Sequence, residues 1–159
     1  MKTTTLYVLA AMLLFYCSCS KKPDATPVAQ QTIAATVNDT AIVYSFNVTV
    51  NVATTPTGNS ANFKAYQTGS SNAMYIFLHN FIVGTNTLSS STGNDIELFD
   101  GAEHLYDSNI HGGSGSIVVT KFDTINKILT GTFTARVYSR TDSLSYIDVT
   151  GGGFNMQYQ

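Results

Sequence analysis

The chain has no tryptophan, only three prolines and two cysteines, and Asp, Glu, Lys and Arg together make up just 11% of it. Each shortage closes a class of explanation. Eight basic residues against ten acids, a formal charge of −2, leave no basic face of the kind a nucleic-acid partner requires. Two cysteines at positions 17 and 19 cannot build a disulfide framework. From Gln31 onward no stretch shows apolar residues recurring at helical spacing. The apolar run Leu6 to Tyr16 is 11 residues long, short of the roughly 20 that cross a bilayer.

That short run, preceded by Lys2, reads as the core of an export leader. The sequence Tyr16-Cys17-Ser18-Cys19-Ser20 then resembles the cleavage box of lipoprotein signal peptides, in which a small residue precedes the cysteine that receives the lipid. Cys19 fits, with Ser18 before it, whereas Cys17 follows the bulky Tyr16. The expected organisation is a lipoprotein signal peptide over 1–18, a lipidated Cys19 with a flexible polar tether over 19–30, and one domain over 31–159. Loss of Lys2 with the leader takes the basic count from 8 to 7 against 10 acids, a formal −3. Cys19 would then be the only cysteine left, and acylated, so the mature protein would rely on packing and not on disulfides. The tether, Ser20-Lys21-Lys22-Pro23-Asp24-Ala25-Thr26-Pro27, is of a composition that stays extended.

From Gln31 onward the chain is rich in Thr, Val, Ile, Tyr and Phe, broken at short intervals by Gly, Asn and Ser, which predicts an all-β domain. Ala41 to Ala53 alternates strictly, so Ile42, Tyr44, Phe46, Val48, Val50 and Val52 are expected on the core face. Ile128 to Tyr138 alternates likewise, with Leu129, Gly131, Phe133, Ala135 and Val137 inward. It follows Ser116 to Phe122 through a hairpin turn at Asp123-Thr124-Ile125-Asn126. Ala73 to Val83 is apolar at nearly every position, as a central strand covered on both faces would be. In the last strand Ile147 and Val149 have one parity, and Phe154, Met156 and Tyr158 the other, which demands a bulge at Gly151-Gly152-Gly153. Weaker strands at Gln31 to Val37, Asn62 to Thr68, Asp95 to Phe99 and Glu103 to Tyr106 bring the total to about nine. That number suits an antiparallel β-sandwich or a small β-barrel.

The segments Gly115 to Asp123, Leu129-Thr130-Gly131-Thr132-Phe133 and Val149-Thr150-Gly151-Gly152-Gly153-Phe154 resemble a family of small Bacteroidota lipoproteins with a C-terminal β-rich domain of unknown function. The resemblance is strongest over Gly115 to Tyr158 and extends more weakly to Thr36-Val37-Asn38, the Phe46 strand and the Cys19 leader. It implies a lipid-anchored location at the cell outer membrane and a β-rich fold, and it carries no catalytic residue. In that phylum, surface export of lipoproteins tends to follow acids just after the cysteine. Here Lys21 and Lys22 stand there, so a surface and a periplasmic face both stay open. The same phylum glycosylates Asp-Ser/Thr triplets, and Asp39-Thr40-Ala41, Asp123-Thr124-Ile125 and Asp142-Ser143-Leu144 are similar to such sites. The candidate O-glycosylation residues are therefore Thr40, Thr124 and Ser143.

The densest polar cluster is Asp95, Glu97, Asp100, Glu103, His104 and Asp107, with His111 beyond, and it holds half the acids of the chain. Oxygen ligands gathered this way would suit Ca²⁺, and the histidines raise Zn²⁺. The spacing matches no established loop geometry, however, and charges of this kind also protect an exposed sheet edge. His104 and His111 lack the short pairing of zinc ligands, and His79 lies far off in an apolar strand. Gly112-Gly113-Ser114-Gly115 is followed by no Gly-Lys-Ser or Gly-Lys-Thr and opens no helix, so it reads as a loop and not as a phosphate cradle.

Three readings of function follow. The first is a non-enzymatic anchored domain, with no cofactor, that serves envelope structure or binds a glycan, small ligand or envelope protein. Its loops Thr85 to Asn94 and Gly101 to Gly115 would be the contact surfaces, and Tyr44, Tyr66, Tyr75, Tyr106, Tyr138, Tyr146 and Tyr158 would be the candidate sugar platforms. The second is a metal-dependent hydrolase or metal-binding protein that uses the Asp95 to His111 cluster. The third is a barrel holding a small apolar ligand among Phe77, Phe81, Phe99 and Phe133.

Overall fold

Residues 31–101 and 105–159 are described by the computed structural model. The leader, Cys19 and the tether lie outside the described residues, as do Glu103 and His104. Ten strands follow in order: β1 (Thr32–Val37), β2 (Thr40–Thr55), β3 (Gly58–Gln67), β4 (Ala73–Phe81), β5 (Gly84–Thr87), β6 (Asp95–Phe99), β7 (Leu105–Asp107), β8 (Ser114–Asp123), β9 (Ile128–Ser139) and β10 (Tyr146–Gln157).

All pairings are antiparallel, and the order β10-β1-β2-β3-β4-β6-β7-β9 closes when β9 pairs back onto β10. Of the sandwich and the barrel, the chain therefore makes the barrel, with eight strands in the ring. Closure removes the free edges that two open sheets would leave. β8 and β5 are the two additions. β9 gives one edge to β8 over most of its length and to β7 at Tyr138 and Ser139, so the wall forks there, and β5 caps the outer edge of β8.

The alternation expected of β9 holds: Leu129 and Val137 are fully buried, and Phe133 and Ala135 nearly so. With Ile33, Met74, Ile76, Ile96, Ile117, Val149 and Met156 they fill the barrel. Each such side chain contributes about 1.5–3 kcal/mol by leaving water. The last strand changes parity where expected, through a register shift between Val149 and Gly152.

β2 departs from its alternation. Its register against β3 shifts between Tyr44 and Phe46 and again between Phe46 and Thr49, and Asn47 takes a positive φ of 48°. Two bulges restore the original parity, so Tyr44 and Val48 both face the core while Phe46 is turned out and 52% exposed. β4 departs too. It ends at Phe81, Ile82 and Val83 form an exposed turn, and only one face is covered, with Tyr75 and Phe77 half-exposed on the other. The segment Thr85 to Asn94, expected as a loop, begins as β5 and holds a bridge between Ser89 and Asn94. Buried Asn86 organises it. Its amide bonds the backbone of Ile82 and Gly84, repeating locally what a neighbouring strand would supply.

The two ends of the barrel differ. Gln31, the β2–β3 turn at Pro56 and Thr57, the β4–β5 turn and the β8–β9 turn lie at one end, called here the entry end. The β1–β2, β3–β4 and β9–β10 turns lie at the opposite end with Asp100 and Gly101.

Candidate functional site

The acidic cluster is partly assembled by the sheet. Asp95 and Glu97 are two apart on β6 and so share its outer face, and Asp107 on β7 is the cross-strand partner of Glu97. Carboxylate oxygens of these three residues all lie within 4.8 Å of one another. Asp100 is exposed beyond the end of β6 and does not join them. Glu103 and His104 lie outside the described residues. His111 sits in the β7–β8 connection with its ring edge-on to Tyr138.

Partners from the protein occupy the cluster. Arg140, from the β9–β10 turn, donates through Nη2 to Glu97 Oε1 at 2.8 Å and to Asp107 Oδ2 at 2.9 Å. Ser108 Oγ donates to Asp95 Oδ1 at 2.6 Å and accepts from the Ile96 N–H at 3.0 Å. The Asn109 N–H donates to Asp107 Oδ1 at 2.7 Å. Burial pushes Asp95 above the ordinary carboxylate range, the Ser108 bond opposing and the nearby Asp107 adding to the shift. Burial also raises Glu97, with Asp95 adding to it and Arg140 opposing. Chemically this is a half-buried ion-pair network that locks the β6–β7 hairpin to the β9–β10 turn. Arg140 and Ser108 are the members that the sequence reading missed. No local spacing announces Arg140, which is 33 positions from Asp107, whereas Ser108 directly follows Asp107 in the chain.

The barrel interior offers little room. Phe81 and Phe133 are packed into the core. Phe77 lies on the outer wall stacked beside Tyr75, with centroids 6.5 Å apart. Phe99 helps to line an apolar pocket of about 60 Å³ at the opposite mouth, with Val37, Ile42, Tyr44, Leu98 and Tyr106. Drug-sized ligands need several hundred Å³.

The larger concavity is on the outside, over β2, β3 and β4. It has a volume of about 520 Å³, and Asn51, Ser60, Asn62, Phe77, His79 and Gly93 are among its lining residues. The pairing register explains why these groups meet, since Asn51 is opposite Asn62 and Asn62 is opposite Phe77. Asn51 Nδ2 donates to Asn62 Oδ1 at 3.0 Å, and the His79 ring is 3.1 Å from the Asn80 amide. Beside the groove the wall carries further rings. Lys64 Nζ stands 4.5 Å from the Tyr66 centroid and 4.7 Å from that of Tyr75, and Phe46 is the strand partner of Tyr66. Hydrogen bonding to Lys64 holds the Tyr66 phenol below its ordinary range.

Of the seven tyrosines considered as platforms, Tyr44 and Tyr158 are buried and Tyr106 packs against the core. Tyr66, Tyr75, Tyr138 and Tyr146 keep exposed surface. Thr40, Thr124 and Ser143 are all exposed at or beside turns. No protein-family profile matches the chain, and neither a curated protein nor a solved structure matches it.

Proposed function

We propose that the chain is an outer-membrane lipoprotein, anchored through acylated Cys19, whose barrel is a non-catalytic module that binds a glycan of the cell envelope or its surroundings. The observation that carries the binding part is the outer groove, where the Phe77 ring lies among the Asn51 and Asn62 amides and His79. A sugar offers an apolar C–H face and a rim of hydroxyls. An aromatic ring takes the first, and amides that both donate and accept take the second. The anchoring part rests on Tyr16 to Ser20.

The non-catalytic reading is supported by the engagement of the acids. Glu97 and Asp107 are held by Arg140, and Asp95 by Ser108. The small volume at the barrel mouth also favours an outer-face ligand over an apolar molecule held inside.

The test is affinity electrophoresis of the detergent-purified chain through gels containing soluble polysaccharides of plant, fungal and bacterial type. Retardation by one of them, lost in Phe77→Ala and in Asn62→Ala while the melting temperature stays put, is the expected result. Retardation by none, or retardation that Phe77→Ala leaves intact, overturns it. Protease shaving of intact against lysed cells, with Cys19→Ala as control, assigns the anchored face.

A further inference from the structure

Three exposed aliphatic side chains project from turns at the entry end: Ile82 is 63% exposed, Val83 60% and Ile125 88%. They are set on a firm base. The Phe81 ring meets Phe122 edge-on at 5.1 Å, and Phe122 stacks on Tyr158 at 6.0 Å. The Tyr158 hydroxyl donates to the Asp123 carbonyl at 3.3 Å, and its N–H donates to the Lys127 carbonyl at 2.9 Å. The β4–β5 turn, the β8–β9 turn and the last strand are thus held together beneath these tips.

Charge is distributed unequally between the ends. Lys121 and Lys127 lie at the entry end, where the one acid of the β8–β9 turn, Asp123, is paired with Lys121 at 3.0 Å. Lys127 stands over the Tyr158 ring at 5.6 Å. Among the described residues the turns of the opposite end carry Asp39 and Asp142, and Arg140 there is engaged by Glu97 and Asp107. Leu144 in the β9–β10 turn is 86% exposed as well, so the ends differ less in the presence of an aliphatic tip than in charge: three such tips stand with lysines at the entry end, and one stands beside acids at the other.

The chain enters the barrel at the first of these ends. Gln31 Nε2 donates to the Gln157 carbonyl at 2.8 Å, which fixes the start of the domain there. Between Cys19 and Gln31 are 11 residues, which limits the distance between the two to about 40 Å of fully extended chain. A lipid on Cys19 would bring the entry end, and not the acidic end, up to the headgroups.

We infer that the entry end docks on the membrane itself, with Ile82, Val83 and Ile125 inserted at the headgroup–acyl boundary of an anionic lipid surface and Lys127 facing lipid phosphates. The inference rests on the reading of Cys19 as the anchor. Aliphatic tips flanked by lysine are the composition by which peripheral proteins engage such an interface, and a basic residue close to an anionic leaflet adds electrostatic attraction. Docking would hold the barrel upright and set the Phe46–Phe77 wall roughly along the membrane normal.

The test uses the full lipidated chain in vesicles of phosphatidylethanolamine and phosphatidylglycerol that carry a nitroxide lipid. A polarity-sensitive fluorophore is placed on Ile125→Cys, on Val83→Cys or, at the other end, on Leu144→Cys. The expected result is a blue shift and several-fold stronger quenching at positions 125 and 83 than at 144, weakened by Lys127→Glu. A chain that floats with the vesicles while all three labels report water overturns the docking and leaves the anchor standing. A chain that does not float overturns both. Quenching that needs added envelope proteins, and is absent from lipid-only vesicles, assigns the surface to a protein partner and overturns the membrane.

Discussion

Arg140 and Asp107 meet across 33 positions of sequence, and both Nε and Nη2 of the guanidinium point at the same carboxylate oxygen, at 3.3 and 2.9 Å. The Asp107 side chain is 6% exposed while that of Arg140 is 50% exposed. The acid is therefore committed to the interior, and the cation that balances it reaches in from solvent.

Removing the cation strands the acid. Arg140→Gln is expected to lower stability by about 2 kcal/mol, less than the 3–5 kcal/mol of a fully buried pair because water screens the exposed guanidinium. Adding Asp107→Asn should restore part of the loss. Urea unfolding of the two single variants and the double variant checks this, and strictly additive losses would mean that the two side chains do not couple.

Tyr44 lines the small pocket at the barrel mouth, and burial pushes its phenol from 10.0 up to about 12. Below pH 10 it is neutral in both the folded and the unfolded chain. Between pH 10 and about 12 the unfolded chain ionises first, so stability falls as pH rises through that window, by about 2 kcal/mol. Tyr44→Phe should flatten this alkaline decline. Denaturant midpoints at pH 9 and at successive steps up to pH 12 provide the measurement, and an equally steep decline in the variant would refute the assignment.

At Gly131 a Cβ would overlap the Phe154 ring and the Val118 carbonyl, and its neighbours are core and strand backbone with no room to move. Gly131→Ala is expected to destabilise by about 2 kcal/mol or more. Gly112→Ala, in an open loop at φ 86°, should cost only about 1 kcal/mol through backbone strain. Thermal melts of the two variants compare crowding with strain directly.

Phe46 and Phe63 look alike in an alternating β sequence, yet one is 52% exposed and the other 2%. Phe63→Ala is expected to cost about 3–5 kcal/mol and Phe46→Ala within about 0.5 kcal/mol. Similar losses from both would mean that Phe46 packs inward.

The same pair marks where sequence reasoning reaches its limit. Strict alternation placed the core residues of β9 and the bulge in β10, because parity there is written in consecutive side chains. It misplaced Phe46 because paired bulges cancel in parity, leaving the pattern intact on either side. The acids of β6 and β7 were legible as a group, since two strands joined by a short turn bring near neighbours together. Arg140 was not, since its contact with Asp107 depends on how the ring closes, and Ser108, though on the same hairpin as the acids, is a small hydroxyl that carries no charge signal. The outer groove was equally hidden, because Asn51, Asn62 and Phe77 come from three strands and meet only through their register.

That closure is completed by β1 lying between β10 and β2. A chain made or exported from its N-terminus presents β1 before the rest of the barrel and must wait for the 12 residues of β10 before the strand gains its second neighbour. Until then β1 and β9 each expose an unpaired backbone edge, and the first-made strands are open to pairing with another copy. The finished ring hides this vulnerability, which belongs to the nascent chain alone. Any loss of the C-terminal strand would make that passing state permanent.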